Sequence, residues 1–377
     1  MAVDLYSKTF LRVVLWFQLL LLIAPAWLVV LTLRFAGVGM GWAFLALLVF
    51  AASSPETAAN VLFDTLLTGF LLALGLCALT AWLTSRMGLP ALLLAAISFS
   101  LAALSHAVFQ LIAVFLTAIL YIPLRRSMGP AKASQMAASL LLCWLVFVGG
   151  MSAYNLKQHQ FFGLSAVMGS GIGTKTWPFI ERIAPFYPDV DPVFVGMRDK
   201  LLREYYEHTG VYWGDPACQW LMKERGLSYV AANKYLLKFN ISAIRHGNEV
   251  YPPEVLKSLV LFLTPAFPYQ VPGAARFVYY LAKALIFFIF IAACTYRITG
   301  WVISGGRKLL DGSEPRTELV LVAAIGMFLY AAFIVCAADM GKPGQRAPIL
   351  FVIPIVLALS LRKRDTSITV RERPEPA

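Results

Sequence analysis

LLLCWLVFVGGMSAYNLKQHQFFGLSAVMGSGIGTKTWPF (residues 140–179) begins as an apolar run and ends as something else. Its first part completes a helix over 134–154, and a helix crosses a bilayer's hydrocarbon core with about 17–25 such residues. Beyond Tyr154 the chain is too polar and glycine-rich to stay in lipid, and too aromatic for an ordinary linker. The chain therefore leaves a membrane here. Its fold is decided by how often it does so elsewhere.

On either side of this stretch, apolar runs predict further helices at 10–33, 36–52, 61–84, 90–105, 107–124, 274–297, 318–337 and 348–361. The runs 90–105 and 107–124, separated only at Ser105-His106, read as two tight spans or one broken element. Residues 256–271 are apolar but hold two prolines, which suits an interfacial or re-entrant piece better than a straight span. Composition agrees, with 59% hydrophobic and 14% charged residues in 377, whereas soluble domains average about 25% charged. The mean hydropathy is +0.72. The chain reads as an all-α polytopic integral membrane protein with about eight or nine transmembrane helices.

The net charge of +12 does not point to nucleic acid. Basic residues cluster at Arg125, Arg126 and Lys132, at Arg297, Arg307, Lys308 and Arg316, and in the tail from Arg362 to Arg373. Each cluster is short and flanks a membrane helix, as the positive-inside rule expects. Placing them in the cytoplasm puts 155–256 outside, the 337–347 turn outside and the C-terminus inside. The chain then divides into four regions: transmembrane helices in 1–154, an extracytoplasmic segment 155–256, transmembrane helices in 257–361 and a cytoplasmic tail 362–377. The same count strands the N-terminus outside, although MAVDLYSKTFLR has no signal-peptide pattern. The five cysteines form no disulfide framework or metal pair.

The outer segment carries helices of its own at 198–210, ending at Gly210, and at Ser228–His246, with Ser228 as N-cap and Gly247 as stop. Val230, Leu237, Ile241 and Ile244 form one apolar stripe on the second, suited to the membrane surface or the transmembrane bundle. Among the histidines, His106 reads as a polar tip at the membrane surface and His159 as an interfacial residue beside Lys157. Asp64 is the charge clearly inside a span, where an unpaired carboxylate is costly. Asp189 and Asp191 are a weak candidate for a divalent cation; no cofactor is otherwise implied.

Four separated features line up: SPETAANVLFDTLLTGFLLAL (54–74), LLLAAISFSLAALSHAVFQLIAVFL (92–116), YNLKQHQFFGLSAVMGSGIGTKTWPFIERIAPF (154–186) and GKPGQRAPILFVIPIVLAL (341–359). In that order and spacing they resemble bacterial GT-C glycosyltransferases of the dolichyl-phosphate-mannose–protein mannosyltransferase-like type, over residues 10–361. The resemblance implies a GT-C-like bundle in a bacterial inner membrane. It implies a polyprenyl-phosphate sugar donor and a glycan, lipid or protein acceptor on the extracytoplasmic face. Under it, Lys175, Arg182, Arg346 and His159 are candidates for the donor phosphate, because cations neutralise it and glycine-rich backbone approaches it closely. Gly171, Gly173 and Trp177 are candidates for substrate contact. Asp64 is the candidate carboxylate.

One departure bears on catalysis. The family opens with an outward helix and a large outer loop carrying the aspartate expected as general base. Here the first helix matches the family's second, and Asp4 is the only carboxylate before it. The resemblance thus implies an N-terminally truncated form, or a partner polypeptide that supplies the base. Other readings are an O-antigen ligase- or polymerase-like enzyme, and a non-catalytic subunit or transporter.

Overall fold

The computed structural model describes residues 8–53, 63–165, 168–205, 209–264, 273–304, 306, 315–338 and 347–361. Among them it is helical throughout, with no strand. Six helices are long and apolar enough to cross a membrane: they lie at Trp16–Phe35, Thr65–Leu83, Ala107–Met128, Pro130–His159, Phe277–Ile303 and Arg316–Ala338. Three shorter apolar helices, Met40–Ala52, Leu89–Ser105 and Ala347–Leu361, accompany them.

In chain order the bundle opens with α1 (Lys8–Phe35), α2 (Met40–Ser53), α3 (Phe63–Leu83) and α4 (Leu89–Ser105). After a 3-10 turn at Ala107–Phe109 comes α5 (Ile112–Met128). The helix expected at 134–154 is longer at both ends. Gly129 (φ +89°) and Pro130 start it, and proline is favoured there because its missing N–H is unpaired in any case. It runs as α6 (Pro130–Trp144), a π-helical turn at Leu145–Gly149, and α7 (Gly150–His159). Small residues let the bundle close, as they do generally in membranes. Gly75 of α3 lies under the Phe99 ring of α4, where an added Cβ would meet ring carbon at 2.6 Å.

The polar segment folds into a helical cap: α8 (Met168–Thr176), a kinked 3-10 stretch (Trp177–Phe186), α9 (Asp191–Tyr205), α10 (Thr209–Glu224) and α11 (Tyr229–His246). It has its own apolar core, in which Phe179, Ile183, Phe194, Leu221, Leu236 and Phe239 are buried. One expectation changes here. The helix expected at 198–210 begins at Asp191 with Pro192 in its first turn, and Gly210 belongs to α10. On α11, Ser228 caps as expected, its Oγ accepting from Ala231 N at 3.3 Å. The buried face, however, is Ala232, Asn233, Leu236, Phe239, Asn240 and Ala243 rather than the stripe through Val230 and Ile241. Ala232, Leu236, Phe239 and Ala243 recur there at helical spacing and enter the cap core, while Asn233 and Asn240 turn the same side toward α8.

The chain returns through α12 (Tyr251–Leu263), α13 (Gly273–Ile303), α14 (Pro315–Ala338) and α15 (Val352–Leu361). α12 descends along α14: Tyr251 Oη donates to the Ala337 carbonyl at 2.7 Å, and Phe262 stacks on Phe328 at 5.7 Å. Nine residues of helix separate those two levels of α14, about 13 Å. At the end away from the cap, Arg297 of α13 donates to Glu318 of α14 (3.0 Å) and to the carbonyls of Leu359 (3.2 Å) and Ser360 (3.3 Å) on α15. A cation at the C-terminus of α15 satisfies orphan carbonyls and complements the helix dipole.

Candidate functional site

The sequence GSGIGTK forms a helix, α8, rather than an open loop. Close packing on α11 explains its glycines. A Cβ on Gly169 would overlap the Asn233 carbonyl oxygen and come within 2.9 Å of the Leu237 nitrogen. Two asparagines of α11 then fix α8. Asn233 Oδ1 accepts from Ser170 N at 3.3 Å, Asn240 Nδ2 donates to the Gly169 carbonyl at 2.7 Å, and Thr176 Oγ1 pairs with Asn240 Oδ1 at 2.6 Å. Gly171 faces the end of α14, where a Cβ would lie 3.9 Å from the Ala338 carbonyl, and Gly173 is buried.

Lys175, on the last turn of α8, is only 2% exposed and donates to Ser258 Oγ on α12. The lysine thus binds the cap to the bundle. Trp177 is half-buried against the cap core, and its carbonyl accepts from Arg198 Nη1 at 3.0 Å. Arg198 also pairs with Glu181 and with Asp199 at 2.8 Å. Burial would raise the Glu181 carboxyl, but the Arg198 hydrogen bond and charge outweigh it and hold the group below its ordinary value. Burial would likewise lower the Arg198 pKa, yet its two carboxylate partners keep it raised. Arg182 is part-exposed and paired with Glu249, whose pKa that hydrogen bond lowers. His159 is exposed at the end of α7. Asp189 pairs with Arg225 at 3.9 Å, and Asp191 begins α9. Among the described residues no three His, Cys, Asp or Glu side chains gather as a metal site.

Asp64 lies in the first turn of α3, and Arg346 lies outside the described residues. Their chain neighbours do meet. Thr65 and Ala347 line one small, partly open cleft between α1, α2, α3 and the turn that leads into α15. Its other walls are apolar, including Leu22, Pro25, Phe50, Leu66, Pro348 and Phe351. Gly69 of α3 lines it beside Pro348, where a Cβ would make ordinary contact at 3.4 Å with the Pro348 Cα and carbonyl oxygen.

Sequence reasoning took Asp64 as the charge inside a span; three others lie in the candidate spans, of which it named only Arg297, as part of a basic cluster. Lys283 of α13 is 1% exposed, with its ammonium 5.6 Å from the centre of the Tyr279 ring. Tyr279 in turn donates to the Ala52 carbonyl at 3.0 Å, fixing α13 on α2. Arg297 and Glu318 are the other two. The single lysine in YYLAKALIFF was the legible signal for Lys283. No known protein family matches the chain, and no curated protein or solved structure matches it significantly.

Proposed function

We propose that the chain is a membrane glycosyltransferase-type protein that holds a polyprenyl-phosphate-linked sugar, with the isoprenoid tail in the cleft between α1, α2, α3 and the turn that leads into α15. One observation carries this reading: an apolar cleft within the bundle is lined by the immediate chain neighbours of an acid, Asp64, and a base, Arg346. An isoprenoid asks for such a lining, and its phosphate asks for a cation at the mouth. In the reaction, an acceptor hydroxyl attacks the anomeric carbon and the bond to the phosphate oxygen breaks. Polyprenyl phosphate then leaves, and the hydroxyl proton passes to a carboxylate base. Arg346 is assigned to the donor phosphate and Asp64 to the polar rim. Lys175, engaged with Ser258, is assigned to holding the cap on α12, and Arg182, engaged with Glu249, to tying the cap to the connection that leads into α12.

The test is photocrosslinking of the purified protein to a benzophenone-bearing polyprenyl phosphate. Gly69→Phe places a ring in the cleft and is expected to lower crosslinking at least about tenfold, whereas Gly69→Ala, in ordinary contact with Pro348, retains it. Undiminished crosslinking in Gly69→Phe refutes the assignment.

A further inference from the structure

The α4–α5 connection lies within the thickness of the bundle, not at its end. α3 and α14 finish together on the side away from the cap, where Arg316 Nη1 donates to the Thr84 carbonyl at 3.4 Å. From there α3 rises about 32 Å to Phe63 and α14 about 33 Å to Ala338, enough to cross a hydrocarbon core of about 30 Å. α4 stops short. Ser105 Oγ meets Thr68 Oγ1 at 2.8 Å, about 8 Å below Phe63 at 1.5 Å per residue. On the other side, Tyr330 Oη donates to the Val108 carbonyl at 2.9 Å and accepts from Leu111 N at 3.1 Å, about 12 Å below Ala338. Two independent counts thus sink residues 105–111 about 10 Å beneath the cap-side end. His106, read from its sequence context as a tip at the membrane surface, lies at that level below the helix ends.

Backbone that leaves the helical pattern at membrane depth persists only where protein or water satisfies it. Protein satisfies much of it here. Besides Tyr330, Trp144 Nε1 donates to the Gln110 carbonyl at 2.7 Å, and Val108 N donates to His106 Nδ1 at 3.4 Å. That last bond assigns the proton of a neutral His106 ring to Nε2. Yet His106 and Gln110 remain half-exposed, Ala107 is exposed, and the Gln110 side-chain amide makes no hydrogen bond among the described residues. A primary amide in contact with lipid tails would forfeit its hydration without compensation. Residues 104–111 (LSHAVFQL) carry no formal charge apart from what His106 could acquire.

We propose that the α4–α5 tip floors a water-filled recess, open on the cap side, that binds an uncharged hydroxyl-bearing head group through His106 and Gln110. The assignment uses only the depth and chemistry of the tip and does not depend on the glycosyl-transfer reading. The experiment uses the full chain in proteoliposomes with its five cysteines replaced, carrying Ala107→Cys, Gln110→Cys or Phe288→Cys. Phe288 is 71% exposed and adjoins the level of the Phe290–Phe328 contact, so it serves as a lipid-facing control at similar depth. A membrane-impermeant thiosulfonate cation should label Ala107→Cys and Gln110→Cys at least about 100-fold faster than Phe288→Cys. Octyl glucoside below its micellar concentration should slow labelling of Ala107→Cys at least about fivefold, and octyl sulfate should not, because the recess offers neutral partners. His106→Ala should remove that protection while leaving the labelling. Labelling no faster than Phe288→Cys overturns the recess. Labelling that neither amphiphile slows, or that both slow alike, overturns the head-group site.

Discussion

Gly169→Ala adds one methyl group where α8 meets α11, and the structure fixes what that methyl would do. The new Cβ would overlap the Asn233 carbonyl oxygen and lie 2.9 Å from two further backbone atoms, the Asn233 carbonyl carbon and the Leu237 nitrogen. Helix backbone cannot swing aside as a side-chain end can, so α8 must move off α11. Overpacking of this kind costs about 1–3 kcal/mol. The shift also stretches the bonds of Asn233 and Asn240 to Ser170, Gly169 and Thr176, each with a net value of about 1 kcal/mol. Replacing a helical glycine returns about 1 kcal/mol, leaving a loss of about 3 kcal/mol overall. Cys218 reports it, because this 3%-exposed thiol sits 3.3 Å from Asn233 Nδ2. With the other cysteines replaced, maleimide labelling of Cys218 in folded protein should accelerate about 100-fold in Gly169→Ala. Gly171→Ala, whose Cβ meets only the Ala338 carbonyl at 3.9 Å, should label no faster than the parent. Equal rates in the two variants would refute the packing argument.

Arg297→Met should lower thermal stability in detergent by at most about 3–5 kcal/mol, because it removes the guanidinium from Glu318, whose side chain is 11% exposed and keeps the Trp301 Nε1 hydrogen bond at 3.3 Å. Adding Glu318→Met should restore most of that, and a double variant no more stable than the single would contradict the ion-pair reading. The Glu181 pKa is lowered by Arg198, so its contribution is full above the unfolded carboxylate pKa of about 4.3 and is lost as pH falls through the lower folded value. The protection factors for hydrogen exchange across Trp177–Tyr205, taken relative to the intrinsic amide rate at each pH, should therefore fall in acid for the parent and change less for Glu181→Gln; identical profiles would exclude the pair as the cause.

Hydropathy made the bundle legible because each span must shed its polar surface, so the apolar runs coincide with α1 to α7 and with α13 to α15. The cap was harder. Glycine costs a helix about 1 kcal/mol relative to alanine, so three glycines in GSGIGTK read as loop. The packing of Gly169 on Asn233 reverses that preference, and such a contact has no local signature. Asn233 and Asn240 stayed hidden for the same reason, since polar residues on a helix read as its solvent face. The depth of His106 was equally out of reach, because it depends on which residues of α3 and α14 stand beside it. For the cleft, Asp64 and Arg346 were legible as candidates, while the walls came from four segments far apart in the chain.

The seam between α8 and α11 is built from carboxamides, hydroxyls and peptide groups, none of which changes charge in ordinary buffers. The stretch that follows α8 leans instead on carboxylates around Arg198, which donates to the Trp177 carbonyl. Acidification should therefore loosen α9 from the Trp177 end while α8 keeps its hold on α11.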